Sequence, residues 1–144
     1  MYKEEKSNEK DFQKKIFRKI LPLILACIIV TSVAVDALTF IGVSRVTLSD
    51  TQTSNTGNLV ALWGTSGRGR LRARSENGLQ VTAKAMRVRE KWFDEELMTI
   101  FTNKTSWTSW TSYFELITVN VGYYARIEGS QSAKGQAEFE VYQL

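Results

Sequence analysis

The chain has 144 residues, no histidine and a single cysteine, Cys27, a composition that excludes Ser-His-Asp and Cys-His nucleophiles, structural zinc and internal disulfides. No GxxxxGKS/T or GxGxxG string signals a phosphate-cradling loop, and nothing requires a cofactor or a metal. The net charge is +4, but residues 38–144 carry twelve Lys/Arg against ten Asp/Glu, too small a surplus to suggest nucleic acid as a partner.

The N-terminal tail places Lys14, Lys15, Arg18 and Lys19 directly before an uncharged run, Leu21 to Val35. A basic flank before an apolar run fits a signal peptide, and it equally satisfies the positive-inside rule for an anchor with a cytoplasmic N-terminus. As a signal peptide, the segment offers small residues for cleavage after Ala34 or Ala37. As an anchor it needs roughly 20 apolar residues, so the span must run on through Asp36 to Val43. A carboxylate in the span costs about 2.5–3.5 kcal/mol near the bilayer centre and less near its end. The expected division is residues 1–37, a signal peptide or N-terminal membrane anchor, and residues 38–144, a domain secreted or anchored on the extracytoplasmic side. Leu25-Ala26-Cys27 resembles a lipobox, but the apolar run continues well past the cysteine, which reads instead as a small apolar residue of a membrane helix. An exported domain without disulfides is held by its core alone.

The predicted elements begin with a strand over Leu38 to Leu48, a polar loop over Ser49 to Asn58 and a short strand over Leu59 to Trp63. Arg68, Arg70, Arg72 and Arg74 then alternate with Gly69, Leu71 and Ala73, the period of a strand, and a second alternation follows from Leu79 to Ala85. A three-residue turn at Glu76-Asn77-Gly78, with Gly78 left-handed, pairs Ala73 with Val81 and Leu71 with Ala83 and leaves one dry face. The expectation is a bulged hairpin in that register. Trp92, Phe93, Leu97, Ile100 and Phe101 form a stripe that suits a short helix near Asp94 to Phe101, with a bent hairpin as the alternative. Phe114 to Ile127 reads as a strand. Its second half makes a closing hairpin with the last residues, Ile127 opposite Ala137 and Arg126 beside Glu138. The sum is an all-β fold, a small antiparallel β-sandwich or barrel of about six strands with at most one short helix.

Two constellations point to binding. On a strand, the four arginines stand about 6.6 Å apart on one face, and with Lys84 they would make a basic strip suited to phosphate or carboxylate. The repeat Thr105-Ser106-Trp107-Thr108-Ser109-Trp110-Thr111-Ser112-Tyr113 has period three, which fits neither helix nor strand. An irregular loop, or an edge strand sending Trp107 and Trp110 to opposite sides, is expected, and exposed indoles stack on sugar rings or settle at a membrane interface. Asp94-Glu95-Glu96 is the only acidic cluster and reads as a solvated turn rather than a catalytic pair. The expected function is therefore non-catalytic binding at a bacterial cell envelope. The ligand would be an anionic envelope polymer or lipid, with the membrane surface as a further partner. Its site is Arg68, Arg70, Arg72, Arg74, Lys84, Trp107 and Trp110. A secreted membrane-active toxin and a self-assembling structural subunit are the alternatives, and the sequence leaves oligomeric state open.

Overall fold

A computed structural model describes residues 37–64, 66–90, 93–117 and 121–144. The proposed export segment Leu21–Val35, Cys27, Ala34, Trp92 and Val119 lie outside the described residues. Nine strands follow in order: β1 Thr39–Leu48, β2 Ser54–Thr56, β3 Val60–Leu62, β4 Gly67–Ser75, β5 Val81–Arg87, β6 Glu95–Thr102, β7 Phe114–Leu116, β8 Val121–Gly129 and β9 Gly135–Gln143. Every pairing is antiparallel. Sheet A has the order β1-β9-β4-β7, and sheet B runs β2-β8-β5-β6 with β3 also on β8. The all-β class holds, as a two-sheet sandwich of nine strands rather than about six. Among the described residues there is no helix, and so none long and apolar enough to cross a membrane.

The alternation read from the sequence sets the faces. Gly67, Gly69, Leu71, Ala73 and Ser75 of β4 are buried, as are Val81, Ala83 and Ala85 of β5, Tyr123, Ala125 and Ile127 of β8 and Ala137, Phe139 and Val141 of β9. Between the sheets, the Phe139 ring stacks on Phe114 at 5.7 Å and meets the edge of Tyr123 at 6.4 Å. The Ala-rich positions facing them leave room for these rings, as interior packing density requires.

The expected pairings do not form. β4 lies in sheet A against β9 and β7, and β5 lies in sheet B against β6 and β8, so Ala73 faces Ala137 and Ala83 faces Ile127 and Ile100. The closing hairpin fails in the same way: β8 and β9 belong to different sheets. Arg126 consequently sits beside Glu128, and Glu138 goes to Arg72 and Arg45. Each turn is an arch that carries the chain from one sheet to the other. An arch satisfies the same in-and-out alternation as a hairpin but sets the two dry faces against each other, burying both. The arches lie side by side: Glu76 N–H donates to Lys134 O (2.8 Å), and Asn77 Nδ2 donates to Ser132 O (2.6 Å). Gly78 is left-handed as expected, with φ +78°.

The predicted helix near Asp94 to Phe101 is strand β6. Its register on β5 jumps from Ala85–Met98 to Met86–Glu96, leaving Leu97 as an extra residue. Leu97, Met98 and Ile100 all pack against the core. A bulge breaks period two and brings apolar residues three apart, which imitates a helical stripe. The predicted Ser49–Asn58 loop contains the short β2, which hydrogen-bonds β8.

Candidate functional site

Sheet A turns one face outward, and the alternation of β4 places Arg68, Arg70, Arg72 and Arg74 on it. Beside them, from β9, stand Gln136, Glu138, Glu140 and Tyr142, directly across the register from Arg74, Arg72, Arg70 and Arg68. Opposite charges facing each other on neighbouring strands attract instead of repelling. Arg70 Nε reaches Glu140 Oε2 at 2.6 Å, and Arg72 reaches Glu138 Oε2 at 2.5 Å. Glu138 also receives Arg45 of β1 at 3.0 Å. Burial would raise the Glu138 carboxyl, but the hydrogen bonds and charges of Arg72 and Arg45 together outweigh it and hold the group below the usual carboxylate range. Arg70 shows the same competition: burial lowers its pKa, but the Glu140 hydrogen bond, together with the charge attraction of Glu140, Tyr142 and Tyr113, raises it overall. Burial, followed by the hydrogen bond to Glu140, pushes the Tyr142 hydroxyl well up.

The Trp-containing repeat lies along the other side of β4 and covers its edge. Thr108 N–H donates to Ala73 O (2.9 Å), and Ala73 N–H donates to Thr108 Oγ1 (3.2 Å). One repeat later, Thr111 N–H donates to Leu71 O (2.9 Å), and Leu71 N–H donates to Thr111 Oγ1 (3.0 Å). Three residues of the repeat thus advance as far as two residues of β4. An advance of about 6.6 Å over three residues is about 2.2 Å each, well short of a strand's rise, so the segment cannot be a regular ladder partner. The threonine hydroxyls stand in for the missing carbonyls. β7 then resumes normal pairing, Phe114 with Gly69 and Leu116 with Gly67.

Within this 3:2 match each position of the repeat has its own surroundings. Thr108 and Thr111 bond the backbone, Ser106, Ser109 and Ser112 are exposed, and the aromatic residues lie over the arginines. Arg74 lies 5.1 Å from the Trp107 ring, Arg72 4.6 Å from Trp107 and 4.3 Å from Trp110, and Arg70 4.6 Å from Trp110 and 5.3 Å from Tyr113. A spacing near 6.6 Å accepts one flat ring between guanidiniums at van der Waals separations of about 3.5 Å on each side. The result is a ladder, Arg74–Trp107–Arg72–Trp110–Arg70–Tyr113. Tyr142 extends it, meeting Arg70, Tyr113 and Phe40.

Six of the seven expected site residues therefore share one face. Trp107 and Trp110 point to the same side, not to opposite sides, and both are half-buried. Lys84 is elsewhere: it lies on the outer face of sheet B, bonded to Glu128 at 3.1 Å and Glu96 at 3.2 Å. The strip is not purely basic, because Glu138 and Glu140 lie within it. Arg68 is exposed and has no ion pair among the described residues, and Arg74 Nε is buried without a hydrogen-bond partner. Sequence reasoning missed Glu138, Glu140, Tyr142, Gln136 and Tyr113. The alternating acids of β9 share the arginines' period, but only strand order shows that the two rows are neighbours.

No family model matches the chain, and no curated protein matches it. Among solved structures, the carbohydrate-binding module TmCBM61, determined in complex with β-1,4-galactotriose, is similar over 69% of each chain, with 16% identity and a TM-score of 0.38.

Proposed function

We propose that the protein is an exported, non-catalytic binding protein of the bacterial cell envelope, and that a polysaccharide-type polymer lies along the outer face of sheet A. The observation that carries this reading is the continuous ladder of alternating rings and guanidiniums beside the exposed Ser106, Ser109 and Ser112. Rings offer apolar surface to sugar C–H groups, and guanidinium edges and hydroxyls offer donors to sugar oxygens and carboxylates. Since packing already holds these groups, ordering them costs little on binding. Glu138 and Glu140 neutralise Arg72 and Arg70, so the face suits a sparsely charged chain, with Arg68 and Arg74 left for its anionic groups. The export half of the reading rests on the basic tail and the uncharged run Leu21–Val35.

Retention of the full-length protein on purified bacterial cell walls tests it. Retention that falls several-fold between low and high salt, and again in Arg68→Ala with unchanged thermal stability, is the expected result. Retention indifferent to both overturns the role of this face. Dye release from anionic vesicles without wall retention would replace the binding module with a membrane-active toxin.

A further inference from the structure

The two ends of the sandwich differ in chemistry. At one end are the polar turns 49–53, 76–80 and 130–134, tied together by Asn77 to Ser132 O and by Lys134 to Asp50 at 3.0 Å. At the other, β1 starts and β3, β5, β7 and β9 finish. There the large apolar side chains are exposed. Six such residues are more than half exposed among those described, and five of them, Phe40, Leu59, Trp63, Phe93 and Ile117, belong to this second end; only Phe101 belongs to the first. Phe93 is 97% exposed, Ile117 72% and Trp63 66%.

The residues that follow Phe93 are tied down. Asp94, its neighbour, accepts from Arg89 N–H (3.2 Å) through one oxygen and from the Tyr124 hydroxyl (2.6 Å) through the other, and Glu95 is ion-paired to Arg87 and Arg89. The chain thus fixes a phenylalanine in water, forgoing about 1.5–3 kcal/mol that burial would return. An apolar rim held open in this way marks a contact surface. Its occupant follows from connectivity. β1 starts at this end, and Val35, the last residue of the uncharged run, is only two positions before Ala37. The chain therefore enters the domain at the apolar rim and not at the polar turns.

We infer that the rim of Phe40, Leu59, Trp63, Phe93 and Ile117 settles into the interfacial layer of the bilayer that holds the N-terminal segment. Aromatic and aliphatic side chains bury there without removing the strands' polar groups from water. This rests on the anchor form of the export reading, with the N-terminal segment retained and its span ending before β1, because Thr39–Val43, which that reading took into the membrane, are strand. It orients the domain so that sheet A, whose strands run away from the rim, presents its arginine–aromatic ladder outward from the membrane surface.

The test uses the full-length chain with Cys27→Ser, carrying an environment-sensitive fluorophore on Phe93→Cys or, at the opposite end, on Gln131→Cys. Each is reconstituted into phosphatidylcholine/phosphatidylglycerol vesicles. The expected result is blue-shifted emission at position 93, quenched several-fold more by lipid-borne nitroxide than by aqueous iodide, with the reverse order at 131. Trp63→Ser with Ile117→Ser should move the label at 93 toward the aqueous pattern while the chain stays with the vesicles. If the chain sediments with vesicles but 93 behaves like 131, the rim does not dock and the anchor survives. If the chain leaves the vesicles altogether, the anchor falls and the rim proposal with it. A label at 93 shielded from both quenchers means that another protein copy covers the rim, which overturns lipid docking.

Discussion

Glu138 lies at a junction of three strands, with Arg72 on one side and Arg45 on the other, and its carboxyl is largely buried. Arg72→Ala removes a partner from a carboxylate that still has to be desolvated, and it breaks the ladder between Trp107 and Trp110. We expect a loss of about 1–3 kcal/mol in denaturant titration. Arg72→Lys should recover only part of it, since an ammonium neither forks nor stacks as a guanidinium does. Gly57 makes a different demand. A Cβ there would stand 2.5 Å from Ser44 Oγ and 2.6 Å from the Arg45 carbonyl oxygen. It would also disturb the exchange in which Gly57 N–H donates to Ala125 O and Ala125 N–H donates to Ser44 Oγ. Gly57→Ala should therefore lower the melting temperature although no side chain is lost. The arginine row itself was legible as a row, because a strand's alternation requires no knowledge of the partner. The carboxylates that neutralise it were not, because Glu138 is separated from Arg72 by 66 positions.

Long sheet edges invite unwanted pairing, and two strands of sheet A are covered by unlike means. β1 is shielded by side chains: Asn58 Oδ1 accepts from Arg45 N–H, Asn58 Nδ2 donates to Val43 O, and Asn55 Nδ2 donates to Thr47 O. β4 is covered by the Thr-Ser-aromatic repeat. If the repeat's threonines replace ladder carbonyls, Thr108→Val and Thr111→Val should each cost about 0.5–1.5 kcal/mol. The Ala73 and Leu71 amides should then exchange hydrogen faster, whereas Ser109→Ala, at an exposed position, should change neither. The repeat was visible as period three. That this period matches two residues of a strand emerges only once β4 lies alongside. In β6 the sequence misled for a local reason, the extra residue at Leu97, which shifts the apolar pattern toward three-residue spacing.

At the scale of the molecule, both signs of charge set the limits of stability. Glu138 and Glu96 have carboxyls held low, so the stability they contribute is present above the ordinary carboxylate range and is lost as pH falls through their depressed values. Lys84 is raised by its bond to Glu128, and the Tyr124 hydroxyl is pushed up to about 12 by burial and then by Asp94. These favour the protonated forms, so their contribution is present below about pH 10 and lost as pH rises beyond it. Melting temperature plotted against pH should be flat between about 5 and 9 and fall on both sides. Phe139 fills the space between the sheets beneath Phe114 and Tyr123, and Phe139→Ala should cost about 3–5 kcal/mol.

Composition and alternation by themselves determined the all-β class, the dry and wet faces of β4, β5, β8 and β9, the left-handed Gly78 and the lack of any histidine for a Ser-His-Asp or Cys-His nucleophile. Each of these depends on a residue and its near neighbours. Only the tertiary structure decided which strands pair. An arch and a hairpin share one alternation, and the choice between them turns on how much dry surface two sheets bury together. It was also strand order that set Glu138 and Glu140 against the arginines, carried Lys84 to the opposite sheet and gathered Phe40, Trp63, Phe93 and Ile117 at one end. Those placements depend on contacts between residues far apart in the chain, for which local periodicity leaves no mark.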